Sequence, residues 1–129
     1  MGLQQFDEVE PISVNALMFH GSAVTPIDLF PADNLRRRVD AILCASDDTI
    51  AHVVNLYIGV GGFVPLFVSF NVPAGAGFGG VAPSDLLSLL PASLQGGFSI
   101  PANVHIQVAC AVDVTGSAGV VVFGLGGYV

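Results

Sequence analysis

A chain of 129 residues fits one domain, long enough to bury a core without metals or disulfides. It is 53% hydrophobic and only 10% charged, against roughly 25% charged in an ordinary soluble domain. Three arginines and no lysine stand against ten acids, a net charge of −7. That excludes a binder of phosphate backbones, which needs basic residues to displace counterions, so no nucleic acid is expected as partner.

Met1–Glu10 is polar and acidic and reads as an N-terminal arm ahead of a single domain over 11–129. It has neither the basic nor the apolar region of a signal peptide. Ile12, Val14, Ala16 and Met18 alternate along Ile12–His20 and predict a strand. Ala23–Phe30 is a second short strand interrupted by Pro26, and Pro31–Asn34 is a turn. Leu35–Ser46 predicts a longer strand with Val39, Ala41, Leu43 and Ala45 on one face. Arg36, Arg38, Asp40, Ile42 and Cys44 take the other.

Asp47-Asp48 turns the chain into a strand over Ile50–Ile58, and Gly59–Gly62 makes a hairpin-like connection. Val64–Val72 continues with Leu66, Val68, Phe70 and Val72 on one face. Pro73–Gly80 is a glycine-rich loop. Ser84 is placed to cap a short helix, Asp85–Leu90, which Pro91 ends. Val104–Thr115 is the clearest element: six apolar positions from Val104 to Val114 alternate with His105, Gln107, Ala109, Ala111, Asp113 and Thr115. A turn over Thr115–Gly119 leads to a strand at Val120–Phe123, and Gly124–Val129 reads as a glycine-rich tail. Seven to eight short strands with one short helix predict an all-β fold, an antiparallel sandwich of jelly-roll or immunoglobulin-like type.

The apolar run Ile50–Phe70 scores like a membrane span, but Gly59, Gly61, Gly62 and Pro65 break it into two strands. No membrane association is expected. The excess apolar content instead reads as buried oligomer or partner interface, ahead of the alternative of a dense core under a Ser/Thr/Asn/Gly surface.

Chemistry-bearing residues are sparse. Cys44 and Cys110 lie in apolar strands without metal-site spacing, as buried free thiols or one inter-strand disulfide. His20, His52 and His105 each stand alone in a strand-like segment, and no His or Cys pair is spaced for zinc. Asp47-Asp48-Thr49 and Asp85 lack the alternating acids of a calcium loop and read as turns with solvated carboxylates. The glycine runs lack a P-loop lysine, and no Gly-x-Ser-x-Gly elbow occurs. No catalytic residue, metal or cofactor is therefore assigned, and the chain is read as a non-enzyme. The one concentrated feature is Arg36-Arg37-Arg38, which holds all the fixed positive charge. It either balances Asp33 and Asp40 within the chain or docks an acidic surface of a partner or neighbouring subunit.

Four stretches carry a family resemblance: Arg38–Val54 (RVDAILCASDDTIAHVV), Val72–Gly77 (VPAGAG), Asp85–Ala92 (DLLSLLPA), and the paired strands ending at Phe123-Gly124. Together they resemble small virion structural proteins of tailed bacteriophages, over most of the chain from Arg38 onward. The resemblance implies a β-sandwich made in the host cytoplasm and built into the virion. Its partners would be the major capsid protein or other virion proteins, and it would self-associate as a homo-oligomer. A capsid decoration or cement role leads, with a head–tail connector or tail accessory protein next. A carbohydrate- or receptor-binding module is the alternative of another class.

Overall fold

Period-two apolar segments form strands throughout this chain, and the strands wind into two stacked sheets. In the computed structural model, which describes residues 10–128, the strands are β1 (Pro11–Phe19), β2 (Ile27–Phe30), β3 (Arg37–Ser46), β4 (His52–Val60), β5 (Leu66–Val72), β6 (Ser84–Asp85), β7 (Phe98–Ile100), β8 (Val104–Cys110) and β9 (Gly119–Tyr128). Sheet A runs β1-β9-β3-β6, with β7 also pairing with β3; sheet B runs β2-β8-β4-β5. Every pairing is antiparallel.

Among these strands only β4 and β5 are both consecutive and hydrogen-bonded to each other. The others alternate between sheets: β1 in A, β2 in B, β3 in A, β4 and β5 in B, β6 and β7 in A, β8 in B, β9 in A. This winding is that of a jelly roll, and it separates the two sandwich types that the sequence left open. The proposed arm at Met1–Glu10 lies outside the described residues except for Glu10.

The core is the slab between the sheets. Met18, Ile42, Cys44, Val120 and Val122 from sheet A face Phe30, Val54, Leu56, Phe70, Val72, Ile106 and Val108 from sheet B, all essentially inaccessible. The strongest sequence pattern lies inside sheet B, where β8 is flanked by β2 and β4. Its inward residues are Ile106, Val108 and Cys110, as the alternation predicts. The strand ends at Cys110, however, and Ala111–Thr115 leaves the sheet, so Val112 is exposed while Val114 turns back into the core.

Three further expectations are corrected, each by a tertiary constraint. The predicted facing of β3 holds only at its start. Val39 pairs with Gly126 and Ala41 with Leu125, so Asp40 is an extra residue, a β-bulge. The bulge reverses the alternation. Arg37 and Val39 point inward before it and Ile42, Cys44 and Ser46 after it, leaving Ala41, Leu43 and Ala45 outside.

The segment predicted as a capped helix begins instead with Ser84 and Asp85 as a strand pair opposite Cys44 and Leu43. Only a 3-10 turn follows, Leu86–Leu89, with no side-chain cap; a second turn spans Ala92–Leu94. Burying Leu86 and Leu87 against β3 decides the segment, which outweighs a weak local helix signal.

The glycine-rich C-terminal tail is the second half of β9, hydrogen-bonded between β1 and β3. Its glycines make room for neighbours. A Cβ on Gly124 would lie 2.6 Å from Cε2 of Phe30, and one on Gly126 would collide with the carbonyl oxygen of Arg38.

Candidate assembly surface

The two outward faces of the sandwich are built differently. The strand registers fix the composition of the sheet A face. It presents Ser13, Asn15, Leu17 and Phe19 from β1, Val121, Phe123 and Leu125 from β9, and Ala41, Leu43 and Ala45 from β3. Leu17, Phe19, Phe123 and Leu125 are each 44–52% exposed. The glycine-rich loop extends this face: Gly77 sits against Ala45, and Phe78 and Val81 beside it are exposed. Among the described residues charge occurs only at the margins, with Glu10, Arg38 and Asp40 at one end, Asp47 at the other and Asp85 on the flank.

The face of sheet B is a polar lattice. Asp28 accepts hydrogen bonds from His105 Nδ1 (2.9 Å) and Gln107 Nε2 (3.1 Å). Ser69 donates to Asn55 Oδ1 (2.7 Å), and Asn55 Nδ2 lies 3.4 Å from the Tyr57 hydroxyl. Such a face satisfies itself and is stable against water. Apolar exposure on this side gathers at the β4–β5 hairpin and the start of β5, where Val60, Phe63, Leu66 and Phe67 stand out, Phe63 at 77% exposure.

The three arginines have three different fates. Arg36 is exposed just ahead of β3. Arg37 is buried, donating from Nη1 to the Pro31 carbonyl (2.7 Å) and from Nη2 to the Val104 carbonyl (2.8 Å). It ties the loop after β2 to the start of β8, so it is a structural strut. Arg38 forms a bidentate pair with Asp40 (2.6 and 2.9 Å), the carboxylate on the bulge. That hydrogen bond holds the Asp40 carboxyl below its ordinary range. Balancing by Asp40 is therefore realised. Asp33 instead accepts from the Tyr128 hydroxyl (2.7 Å) and the Leu35 amide (3.1 Å), and the Tyr128 bond leads in lowering its carboxyl.

The histidines, isolated along the sequence, each meet an aspartate in space: His20 with Asp113, His52 with Asp48, and His105 with Asp28. The Asp48–His52 pair is fully enclosed. The turn before β4 and the loop after β8 bring its members together. Asp48 accepts from the Thr115 hydroxyl and amide, the Thr49 amide and His52 Nε2 (2.7 Å). The Thr115 hydroxyl, then His52, holds the carboxyl well below the usual range. Asp48 is thus a buried structural acceptor and not the solvated turn carboxylate that the sequence suggested. The spacing of four residues across a turn was the signal that could have revealed it. His52 Nδ1 is buried and unpartnered among the described residues.

Asp47, Asp48, Thr49 and Thr115–Ala118 line an open hollow of about 310 Å³ beside this pair. Among the described residues, no three or more His, Cys, Asp or Glu side chains are grouped to hold a metal ion. Cys44 and Cys110 are both free and buried. Burial pushes the Cys44 thiol up to about 12 and that of Cys110 to about 11. None of the described helices is long and apolar enough to cross a membrane.

No protein-family model matches the chain, and no curated protein does. A similar solved structure is the one described as "Structure of infectious bursal disease virus Gt strain". The similarity has a TM-score of 0.33 at 11% identity, and it takes in 95% of this chain but 34% of that one. The chain thus spans about a third of the length of the protein it matches, at a similarity too distant to carry a role across.

Proposed function

We propose that this chain is a non-enzymatic structural protein of a tailed-phage virion, a decoration or cement subunit that stabilises the head through protein–protein contacts. The observation that carries the reading is the outward face of sheet A. Leu17, Phe19, Phe123 and Leu125 stand on a sheet face whose interior carries no charge among the described residues. Apolar surface in one contiguous patch is the mark of a contact that the protein makes elsewhere. The polar lattice on sheet B supplies a face that can remain in water, as a subunit on a particle requires. The motif resemblance from Arg38 onward points to the same class of protein.

Mass measurement of the purified chain, alone and mixed with intact particles that lack it, tests the proposal. Saturable addition of 13.2 kDa copies at fixed stoichiometry is the expected result. Electron microscopy of the loaded particles then locates it, on the capsid surface if the decoration role is right. A chain that never joins a particle at any concentration refutes the reading.

A further inference from the structure

We infer that His105 is a proton-operated latch on the turn of the β4–β5 hairpin: carrying two ring protons it ties Asp28 to the Gly61 carbonyl, and on losing one it lets the turn go. The inference concerns the polar face of sheet B and stands apart from the assembly reading of sheet A.

A count of donors and acceptors carries it. The His105 ring, on β8, lies between two other elements. Its Nδ1 is 2.9 Å from Oδ1 of Asp28 on β2, and its Nε2 is 3.1 Å from the Gly61 carbonyl oxygen in the hairpin turn. An ionised carboxylate and a carbonyl accept hydrogen bonds and cannot donate them. A neutral imidazole has one N–H and one lone pair, so it satisfies one of these partners; an imidazolium, with two N–H groups, satisfies both. The other two histidines lack this arrangement. His20 meets the Val114 carbonyl and Asp113 through Nδ1 alone, and His52 meets Asp48 through Nε2 while its Nδ1 has no partner among the described residues. When His105 gives up a proton, the remaining one stays on Nδ1, because the bond to the charged carboxylate is the stronger. The Nε2 lone pair then confronts the Gly61 oxygen. Only 12% of the His105 side chain is exposed, which leaves little room for water to come between, so the turn gives way.

The turn is built to respond. Gly61-Gly62 closes the hairpin between Val60 and Phe63, whose backbones exchange two hydrogen bonds of 3.0 Å. Among the described residues, the His105 bond is the one hydrogen bond that Gly61 or Gly62 makes. Neither glycine has a side chain to pack, and Val60 and Phe63 on either side are exposed, so little else opposes movement. The surrounding charges leave the control to His105 and Asp28. From β4, Gly59 lies opposite His105, and Tyr57 opposite Gln107 is the titratable group on that strand. The hairpin residues Val60–Pro65 bring no ionisable side chain. Arg37, on the core side, donates to the carbonyl of the preceding residue, Val104. Asp33 meets the loop before β8 through its backbone bond to Asn103, its carboxylate being turned to Tyr128 and Leu35. Of these charged groups Asp28 is the one bonded to the ring, and Gln107 Nε2 at 3.1 Å holds it in place in either protonation state.

Nuclear magnetic resonance of the full chain between about pH 5 and 8.5, the range in which histidine side chains change charge, is the test. Ring nitrogen shifts should show His105 with both nitrogens protonated at the acid end and with Nδ1 alone protonated at the other. The amide signals of Gly61, Gly62 and Phe63 should move with the same midpoint. Protection of the Phe63 amide against hydrogen exchange, taken relative to an unstructured peptide at each pH, should fall roughly tenfold as the charge-assisted bond is lost. In His105→Gln, checked for an unchanged circular dichroism spectrum, the response of the turn should vanish; in His20→Gln it should persist. A His105 ring whose protonation does not change over this range overturns the inference, and that measurement needs no variant. So does a ring that titrates while the turn stays still, or a turn that still responds in His105→Gln.

Discussion

Phe30 and Gly124 are a size-matched pair across the sandwich, and a double-mutant cycle should expose their dependence. Phe30 ends β2 in sheet B and is fully buried; Gly124 lies in β9 of sheet A. A methyl group at Gly124 would sit 2.6 and 2.8 Å from the ring carbons of Phe30 and 2.9 Å from Cγ2 of Val14. The ring is fully buried, so Gly124→Ala should cost about 1–3 kcal/mol, the usual penalty of overpacking. Phe30→Ala leaves a cavity and should cost about 3–5 kcal/mol. Were the sites independent, the two costs would add to about 4–8 kcal/mol, a large part of the ~5–15 kcal/mol that holds a domain together. In the Phe30→Ala background the added methyl instead enters the cavity. Gly124→Ala should then cost less than in the parent chain, with only the contact to Val14 Cγ2 left to relieve, a coupling of about 1–2 kcal/mol. Urea unfolding at one fixed protein concentration measures it, since self-association would shift the midpoints. Additive losses would show that the Phe30 ring is not what requires a glycine there.

Four further outcomes follow from the same geometry. Val108→Asp places an unpaired carboxylate in the core at a fully buried position of β8 and should destabilise the domain by about 3 kcal/mol or more, read as loss of the cooperative melt. Arg37→Lys cannot span the Pro31 and Val104 carbonyls with a fork and should cost about 1–3 kcal/mol in chemical denaturation. The Asp48 carboxyl is lowered by folding, so its stabilisation is complete above the unfolded value of about 3.9 and fades as pH falls below it; melting curves should show an acid limb that Asp48→Asn flattens, from a lower starting stability. With Cys44 raised to about 12 and Cys110 to about 11, a thiol reagent at pH 8 should label neither in the folded protein and both in denaturant.

Much of the architecture was legible along the chain because it depends on local alternation. β1, the Ile106–Cys110 face of β8 and the break of the Ile50–Phe70 run into a hairpin were read from side-chain period and glycine placement alone. Apolar excess with scarce charge left interface and dense core as alternatives, and the structure adds only that Leu17, Phe19, Phe123 and Leu125 are exposed on one sheet face. Tertiary structure decided the rest, where a distant partner overrules a local preference. The Asp40 bulge turned β3 over, because Gly126 and Leu125 of the neighbouring strand set its register. The glycine-rich tail became a strand because Phe30 and the Arg38 carbonyl occupy the space that side chains would need. Asp48 became a buried acceptor because Thr115, 67 residues away, closes over it. The unequal outer faces appeared only once β1, β9 and β3 lay side by side, since adjacency between strands far apart in sequence is written in hydrogen-bond register and not in the order of residues.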